Sequence, residues 1–509
     1  MTRLSPDLHH SGIIIKPVSD ALWRASAFAL IVSVLLFVVS KTTADPDLWG
    51  HLRFGLDTLS SGLARTDSYS YTAYGQPWTN HEWLSEVLFA TAWRFAGVPG
   101  LIVLKLMIYC LLFACLYGCL VASGLPRVQV AVLLLMAVGA FIPFLSIRPQ
   151  MFTYVFFVIV LIIMKLAEAG RYRLLWLMPP IFALWCNLHG GFLAGLGVFG
   201  LWAVCHVALN RQRVTTVSLP LILSIIAICA NPYGPGLVTL LLRTATVPRP
   251  EIMDWRPLNV ISGEGAFYLP MLLVTLAALL YSRQKCKLAL IAPYMLLVLL
   301  PLTAVRHLPL FASGGLILVS EYLGASGRRF RGSHKVIPWA KPAWFLAPIG
   351  ICIAFFVFLF TQNLRHIPYV ESMHYPALAI TVLARSDASG NLLTSFGWGE
   401  YAIWHLGPRI RVSIDGRRET VYPEPVYRQN LRFMFGVGQW DTLLTEYPTD
   451  IVLIPGDSAA YSLMRLYPGW VLVYEDTTAS LFVRDQSPLI APIREAAVLP
   501  ISSREASFP

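Results

Sequence analysis

Long apolar stretches recur along this chain, and they restrict the folds that it can adopt. Each stretch is near the roughly 20 residues that an α-helix needs to cross a bilayer. Of the 509 residues, 56% are hydrophobic and 13% are charged, whereas about a quarter of the residues are charged in soluble proteins. The sequence therefore predicts a polytopic α-helical membrane protein with about eleven transmembrane helices. The predicted spans are 21–40, 98–122, 128–147, 151–167, 173–188, 191–209, 216–231, 265–282, 287–304, 307–324 and 342–362.

Basic residues on alternate loops predict the orientation. The positive-inside rule places these loops in the cytoplasm together with the N-terminus, 1–20. The first apolar stretch has no A-x-A-type cleavage site, so we interpret it as a retained span. The external loop 41–97 and the chain from 363 onward then lie outside. The net charge of +11 is largely explained by the basic loops, so we expect no nucleic-acid partner. These loops are 170–173, 210–213, 282–287 and 327–335.

Unusual polar residues of the membrane domain concentrate at its predicted external face. Polar side chains at membrane depth are costly and usually mark a functional path or site. Helix capping can explain any one of these residues, but it cannot explain why they share one side. They are Asp45, Asp47, His51, Asp67, His81, Glu82, Glu86, Arg148, Gln150, Asn187, His189, Asn231, Asp254, Arg256, Arg306 and His307.

Two segments of loop 41–97 carry most of the carboxylates and histidines. In ADPDLWGHLRFG, Asp45 can cap a helix that Pro46 opens, and Asp47 and His51 then share one face. In TNHEWLSEVLFATAWRF, Asn80 can cap a second helix, which is amphipathic and typical of the membrane interface. The sequence allows capping and anchoring as well as a functional site.

Two arginines, Arg148 and Arg306, lie on the side that the positive-inside rule disfavours. They either extend toward external lipid headgroups or bind an anion at the membrane surface, such as a lipid phosphate. Asn187 and His189 likewise either satisfy the backbone that is broken at NLHGG or belong to a site.

The tail predicts a separate α/β domain over 363–487. Strand-like runs alternate with helical stretches, and the turn IDGRRE follows one strand at the place where open α/β sheets often bind ligands. A charged turn with an internal ion pair is an equal alternative. Residues 488–509 are predicted to be disordered. The strand-like runs are NLLTSF, IRVSID, DIVLIP, WVLVYED and ASLFVR.

An ordered series of motifs resembles the GT-C superfamily of membrane glycosyltransferases. This superfamily includes protein O-mannosyltransferases, lipid A aminoarabinose transferases and oligosaccharyltransferases. The series is similar to that of bacterial multi-pass proteins of the superfamily and covers residues 20–485. After Asp47, no second carboxylate matches the superfamily pattern, so the base and any metal ligands stay open. The motifs are DPDLWGHLRFG, DSYSYTAYGQPWTNHEWLSE, IRPQMFTY, NLHGGF, NPYG and DGRRETVY.

The resemblance implies an inverting glycosyltransferase at the external, periplasmic face of a bacterial inner membrane. Its donor is a sugar on a polyprenyl phosphate, and its acceptor is a glycan, a lipid or a protein. A phosphate leaving group is already stable as an anion, so the site needs a base and positive charge. The implied catalytic residues are Asp45, Asp47 and His51, with one aspartate as the base. The implied substrate-binding residues are His81, Glu82, Arg148, Gln150, Asn187, His189, Arg306 and His307. A divalent cation (Mg²⁺ or Mn²⁺) stays an open alternative, with Asp47, His51 and Glu82 as candidate ligands.

Three other functions stay open at the level of the sequence. A lipid-linked saccharide transporter or flippase would also be polytopic, although it needs charged or broken helices near the middle of the membrane. A polysaccharide polymerase or ligase uses the same class of lipid substrate, although its large external loop usually comes late in the chain. A non-catalytic assembly subunit is the third alternative.

Overall fold

The computed structural model describes residues 19–245, 252–261, 263–331, 346–369, 374–499 and 507–508. Most of the predicted cytoplasmic N-terminus, 1–20, lies outside the described residues. So do the part of basic loop 327–335 after residue 331 and the first four residues of the predicted span 342–362.

The membrane domain is helical throughout. Its described helices are α1 (Asp20–Ser40), α2 (Asp47–Ser61), α3 (Trp83–Ala122), α4 (Arg127–Phe141), α5 (Gln150–Glu168), α6 (Met178–Trp185), α7 (Phe192–Leu209), α8 (Val214–Ala227), α9 (Gly236–Ala245), α10 (Gly265–Tyr281), α11 (Leu288–Leu299), α12 (Leu308–Arg331) and α13 (Leu346–Asn363).

Seven helical segments of the described chain are long and apolar enough to cross a membrane. They correspond to all or most of α1, α3, α4, α5, α7, α12 and α13, and the shorter apolar helices α10 and α11 match two further predicted spans. The chain is therefore a multi-pass membrane protein, and the count of eleven spans stays a prediction. The predicted span 173–188 is divided into a 3₁₀ helix and α6. Pro179 and Pro180 stand at the start of α6, where their missing N–H groups are tolerated.

Helix α3 consists of two helical segments that meet at a kink. The backbone leaves helical geometry at Ala96 and Gly97, where the φ of Gly97 is 59°. Glycine adopts this left-handed conformation without the steric cost of a side chain. The predicted boundary between an amphipathic helix after Asn80 and a span over 98–122 coincides with this break.

The chain segments that leave α1 and α13 meet each other. Ala44 N–H donates to the Pro368 carbonyl at 2.9 Å, and Asn363 Nδ2 donates to Ser40 Oγ at 3.0 Å. This pairing joins the segment that carries Asp45 to the start of the C-terminal domain.

The C-terminal domain contains a mixed five-stranded sheet made of β2 (Gly390–Thr394), β3 (Ile410–Val412), β4 (Ile451–Pro455), β5 (Trp470–Glu475) and β6 (Ala479–Arg484). The order of the strands in the sheet is β3–β2–β4–β6–β5. Strands β3, β2 and β4 are parallel, whereas β6 is antiparallel to both β4 and β5. All five predicted strands are confirmed. The other described strands and helices of this part of the chain are β1 (Ile367–Pro368), α14 (Ala377–Arg385), α15 (Gly399–Leu406), α16 (Glu424–Phe435), α17 (Thr442–Thr445), α18 (Ala459–Met464), α19 (Ile490–Val498) and β7 (Ser507–Phe508).

The predicted disordered tail, 488–509, differs from the structure in two places. Residues 490–498 form α19, because Ile493 and Ala496 are buried in the core of the domain. Further on, β7 pairs with β1, and Phe508 is 3% exposed. Residues 500–506 and 509 lie outside the described part of the chain.

The C-terminal domain is tightly joined to loop 41–97. Trp49 of α2 contacts the rings of Tyr375, Tyr401 and Phe508 at centroid distances of 4.7–5.4 Å. Arg417, which follows β3, contacts Asp67 Oδ1 at 2.6 Å. Buried aromatic contacts and a buried ion pair therefore fix this domain against α2.

Candidate functional site

A cavity of about 420 Å³ lies where loop 41–97, the ends of membrane helices and the C-terminal domain meet. Its walls include α2, the start of α5, the segment 189–194, the start of α12 and the segment 416–420 after β3. Most of the residues that the sequence singles out lie in or directly behind these walls. Leucine side chains of α7, α9 and α12 make one part of the wall apolar.

Arg148, two residues before α5, is surrounded by three carboxylates. Its Nε lies 2.9 Å from Asp45 Oδ2, its Nη2 lies 3.1 Å from Asp47 Oδ2, and its Nη1 lies 3.4 Å from Asp254 Oδ2. Each carboxylate therefore uses a different nitrogen of the guanidinium group. The arrangement orients the two aspartates of the Asp-x-Asp segment and leaves the positive charge of Arg148 already balanced.

Asp45 and Asp47 have different surroundings. Asp45 is 8% exposed, and its Oδ1 accepts a hydrogen bond from the Asp47 N–H at 3.1 Å. Burial raises the pKa of Asp45, and the charge of Arg148 opposes this shift. The Asp47 side chain is 37% exposed and lines the cavity. Of the two candidate bases, Asp47 is the one that a substrate in the cavity can reach.

The start of α2 is one residue later than the sequence predicts. Pro46 occupies the N-cap position and Asp47 is the first helical residue. The carboxylate of Asp45 still satisfies the first free N–H group, so Asp45 has a capping contact, and its role in a functional site stays a prediction.

Arg306 is a cation in the wall of the cavity. Among the described residues it forms no ion pair, and its guanidinium carbon lies 4.6 Å from the ring centre of Trp255. The neighbouring His307 also lines the cavity, and its Nδ1 donates to the Leu300 carbonyl at 3.1 Å. An arginine without an anionic partner at the wall of a cavity is suited to bind an anionic ligand.

His51 supplies a second positive charge. Its Nδ1 lies 3.2 Å from Glu86 Oε1, and Glu86 Oε2 accepts from Asn80 Nδ2 at 2.5 Å. Burial opposes protonation of His51, but the hydrogen bond to Glu86 and the charges of Glu82, Glu86 and Asp47 raise its pKa to about 9. His51 is therefore charged at neutral pH, one helical turn after Asp47.

Glu82 lies between two histidines of the cavity wall. Its Oε1 is 3.5 Å from His81 Nε2 and 3.6 Å from His189 Nε2. His189 Nδ1 accepts the Gly191 N–H at 3.0 Å and lies 2.8 Å from Thr153 Oγ1. Neutral His189 therefore carries its proton on Nε2, which points toward Glu82. Burial lowers the pKa of His189 to about 3, so this histidine stays neutral.

Asn187 and Gln150 have different placements. The Asn187 amide donates to the carbonyls of Ala183 and Ala230 at 2.8 and 2.9 Å, and its Oδ1 accepts from Trp83 Nε1. These bonds use the side chain to hold together the broken backbone behind the cavity. Gln150, the first residue of α5, lines the cavity directly.

The three candidate metal ligands do not converge. Asp47 is paired with Arg148, His51 with Glu86, and Glu82 with two histidines. Within the described residues, no group of three or more His, Cys, Asp or Glu side chains could hold a metal ion. As placed among the described residues, these three side chains do not fit a divalent cation.

Three further residues of the site were not assigned a role from the sequence. Asp254 is the third partner of Arg148, Arg417 closes the cavity from the C-terminal domain, and Glu400 places a buried carboxyl in its wall. The turn IDGRRE is a signal for Arg417, and its predicted internal ion pair is present, since Arg417 Nη2 lies 2.6 Å from Asp415 Oδ2. For Glu400, the sequence offers only a single acidic residue at the start of a mainly apolar helix, which is a weak indication of a site residue.

Among the described residues that line the cavity, the carboxylate of Asp47 occurs together with the cations Arg306 and His51 and with an apolar wall. Such a site can accept a proton at Asp47 and bind an anion at Arg306 and His51. Because it borders the ends of membrane helices, its ligands can include a molecule with a lipid chain.

No family model matches the chain, and no curated protein matches it either. Solved structures do match. An oligosaccharyltransferase of Archaeoglobus fulgidus, tethered to an acceptor peptide containing the NVT sequon, superposes with a TM-score of 0.57 at 11% identity, covering 94% of this chain and 78% of that chain. ArnT of Cupriavidus metallidurans in the apo state gives a TM-score of 0.50 at 12% identity, covering 94% of this chain and 100% of that chain.

Both matches extend over nearly the whole chain and include the membrane helices as well as the C-terminal domain. At 11–12% identity they establish the architecture and not the chemistry. The chain therefore has a GT-C-like fold, the architecture that the ordered motifs predict.

Proposed function

We propose that this protein transfers a sugar from a polyprenyl-phosphate donor to an acceptor hydroxyl at the external face of the membrane. The observation that carries the proposal is that one cavity is lined both by the accessible carboxylate Asp47 and by Arg306, a cation that forms no ion pair among the described residues. The GT-C-like fold supports the same reaction class.

Asp47 acts as the general base. It takes the proton of the acceptor hydroxyl while the oxygen attacks the anomeric carbon from the side opposite the phosphate, so the configuration inverts. A positioned base of this kind contributes about 10²–10⁴-fold to the rate. Arg148 holds Asp47 in a fixed orientation and, through the buried Asp45, keeps the start of α2 in place.

Arg306 and His51 bind the leaving phosphate. As the bond between the anomeric carbon and the phosphate oxygen breaks, the electron pair stays on the phosphate, whose charge increases. Cations that are already in position stabilise this charge more in the transition state than in the ground state. The apolar wall near Leu241 and Leu310 accommodates the first isoprene units of the donor.

The test uses purified protein in proteoliposomes and a panel of polyprenyl-phosphate sugars labelled in the sugar. We expect release of polyprenyl phosphate and an equal amount of transferred or hydrolysed sugar with at least one donor. Asp57→Asn is a matched control on the same helix, because Asp57 pairs with Arg53 and Tyr69 away from the cavity. Failure of every donor in the panel, with correctly folded protein, would contradict the proposal.

A further inference from the structure

Glu400 is a carboxylic acid that the C-terminal domain inserts into the cavity wall. It is 5% exposed and lies on α15. Its carboxyl group occupies space left by two glycines of other segments, Gly50 and Gly416. A methyl group on Gly50 of α2 would lie 2.2 Å from Glu400 Oε2. A methyl group on Gly416 would lie 2.6 Å from Glu400 Oε1 and 3.0 Å from Asp47 Oδ1. The carboxyl groups of Glu400 and Asp47 therefore lie on either side of the space that a side chain at position 416 would fill.

The carboxyl group of Glu400 has no partner within the described part of the protein. Its Oε2 is buried against α2 without a hydrogen bond, and neither oxygen is within ion-pair distance of a cation. A buried charge without a partner is costly, so such a group keeps a proton or awaits a ligand. Burial and the charges of Asp47 and Asp415 raise the pKa of Glu400 well above its usual range.

The charged groups that face Glu400 come from three elements. They are Asp47 of α2, Glu86 of α3, and Asp415 and Arg417 after β3. Arg417 lowers the pKa of Glu400, but it is itself paired with Asp415 and Asp67. A neutral carboxyl group can donate one hydrogen bond and accept others, whereas the ionised Asp47 can only accept. The two groups thus offer complementary hydrogen bonding.

We propose that Glu400 is an acceptor-positioning residue and that the acceptor presents two adjacent hydroxyl groups, as in a sugar or another polyol. One hydroxyl donates to Asp47 and becomes the nucleophile. Its neighbour is bound by Glu400, which fixes the rotation of the nucleophilic oxygen toward the donor. This inference rests on the proposed function, and it adds the acceptor class and a residue from the C-terminal domain.

The test measures the ratio of two products, the sugar transferred to an added alcohol and the sugar released by transfer to water. Glycerol is the probe with adjacent hydroxyls, and propan-1-ol is the matched probe with a single hydroxyl. We expect wild-type protein to prefer glycerol over propan-1-ol. The glycerol-to-water product ratio should fall about tenfold in Glu400→Leu, the equivalent of one hydrogen bond. It should stay within about threefold in Glu400→Gln, whose amide both donates and accepts.

A product ratio does not depend on the amount of active protein, so partial misfolding does not imitate the effect. If Glu400→Leu gives no product, Glu400→Met provides the same test, because the unbranched side chain of methionine fills the space of the glutamate without a strong hydrogen-bonding group. Glu424→Gln, an exposed position on α16 paired with Arg428, is the control and should leave the ratio unchanged.

Equal ratios in wild-type protein and Glu400→Leu, or no preference of the wild type for glycerol, would overturn the inference. In both cases continued consumption of the donor would uphold the transferase itself. No donor consumption by the wild type would instead refute the proposed function and the inference together.

Discussion

Arg148 and Arg306 are equivalent by sequence reasoning but have different partners, so replacing each by lysine should have different consequences. Arg148 uses three nitrogens for three carboxylates, and the single nitrogen of lysine cannot reach all of them. A hydrogen bond to a charged group contributes about 1.5–3 kcal/mol when buried, whereas a half-exposed ion pair contributes about 0.2–1 kcal/mol. The Asp45 contact belongs to the first kind, and the Asp47 and Asp254 contacts, with carboxylates 37% and 34% exposed, belong to the second.

We therefore expect Arg148→Lys to lower the free energy of unfolding by about 1–3 kcal/mol. Arg306→Lys is the matched control, because Arg306 forms no ion pair among the described residues and a lysine keeps the positive charge near Trp255. It should unfold within about 0.5 kcal/mol of the wild type. Its donor KM should rise about tenfold, since an ammonium group does not reproduce the two-pronged contact of a guanidinium with phosphate.

The assays are thermal unfolding in detergent and donor titration at equal amounts of folded protein. Arg148→Lys should unfold at a lower temperature, and Arg306→Lys should need more donor at an unchanged unfolding temperature. The opposite pattern, with a stable Arg148→Lys that binds donor weakly, would refute the assignment and identify Arg148 as the phosphate-binding residue.

Two further predictions concern pH and orientation. The raised pKa of His51 means that its ion pair with Glu86 is complete below about 6.5 and is lost as the pH rises through about 9. Wild-type donor turnover should therefore fall above pH 9, and the pH profile of His51→Gln should lack this fall; an identical fall in both would contradict the role of His51. Reporter fusions at Gly75 and Ser333 should report opposite sides of the membrane, and a shared side would refute the predicted orientation.

The helices and strands could largely be predicted because their signals are local. Apolar length indicates spans, alternation indicates strands, and the spacing of Asp47 and His51 gives their common face. The partners of the site residues could not be predicted in this way. Arg148 and Asp254 are 106 positions apart, and the approach of Glu400 to Asp47 depends on how a separate domain lies on α2. Contacts between distant segments leave no periodic pattern in a sequence.

The C-terminal tail, residues 488–509, is a second case in which the sequence alone did not reveal a contact between distant segments. Residues 488–499, PLIAPIREAAVL, are largely apolar, and Ile493 and Ala496 of α19 are buried in the core, so the prediction of disorder is wrong for this part of the tail. Arg148 and Asn187 are both polar residues at the predicted external face, but the sequence could not predict that their contacts differ. One orients the carboxylates and the other satisfies broken backbone.

The most direct test of the proposed base compares single-turnover donor consumption by Asp47→Asn and Asp57→Asn. We predict that Asp47→Asn is inserted and folded, since asparagine keeps the shape of the side chain, but turns over about 10²–10⁴ times more slowly than the wild type. Asp57→Asn should turn over at the wild-type rate. Turnover by Asp47→Asn within about threefold of the wild-type rate would contradict the assignment of Asp47 as the general base.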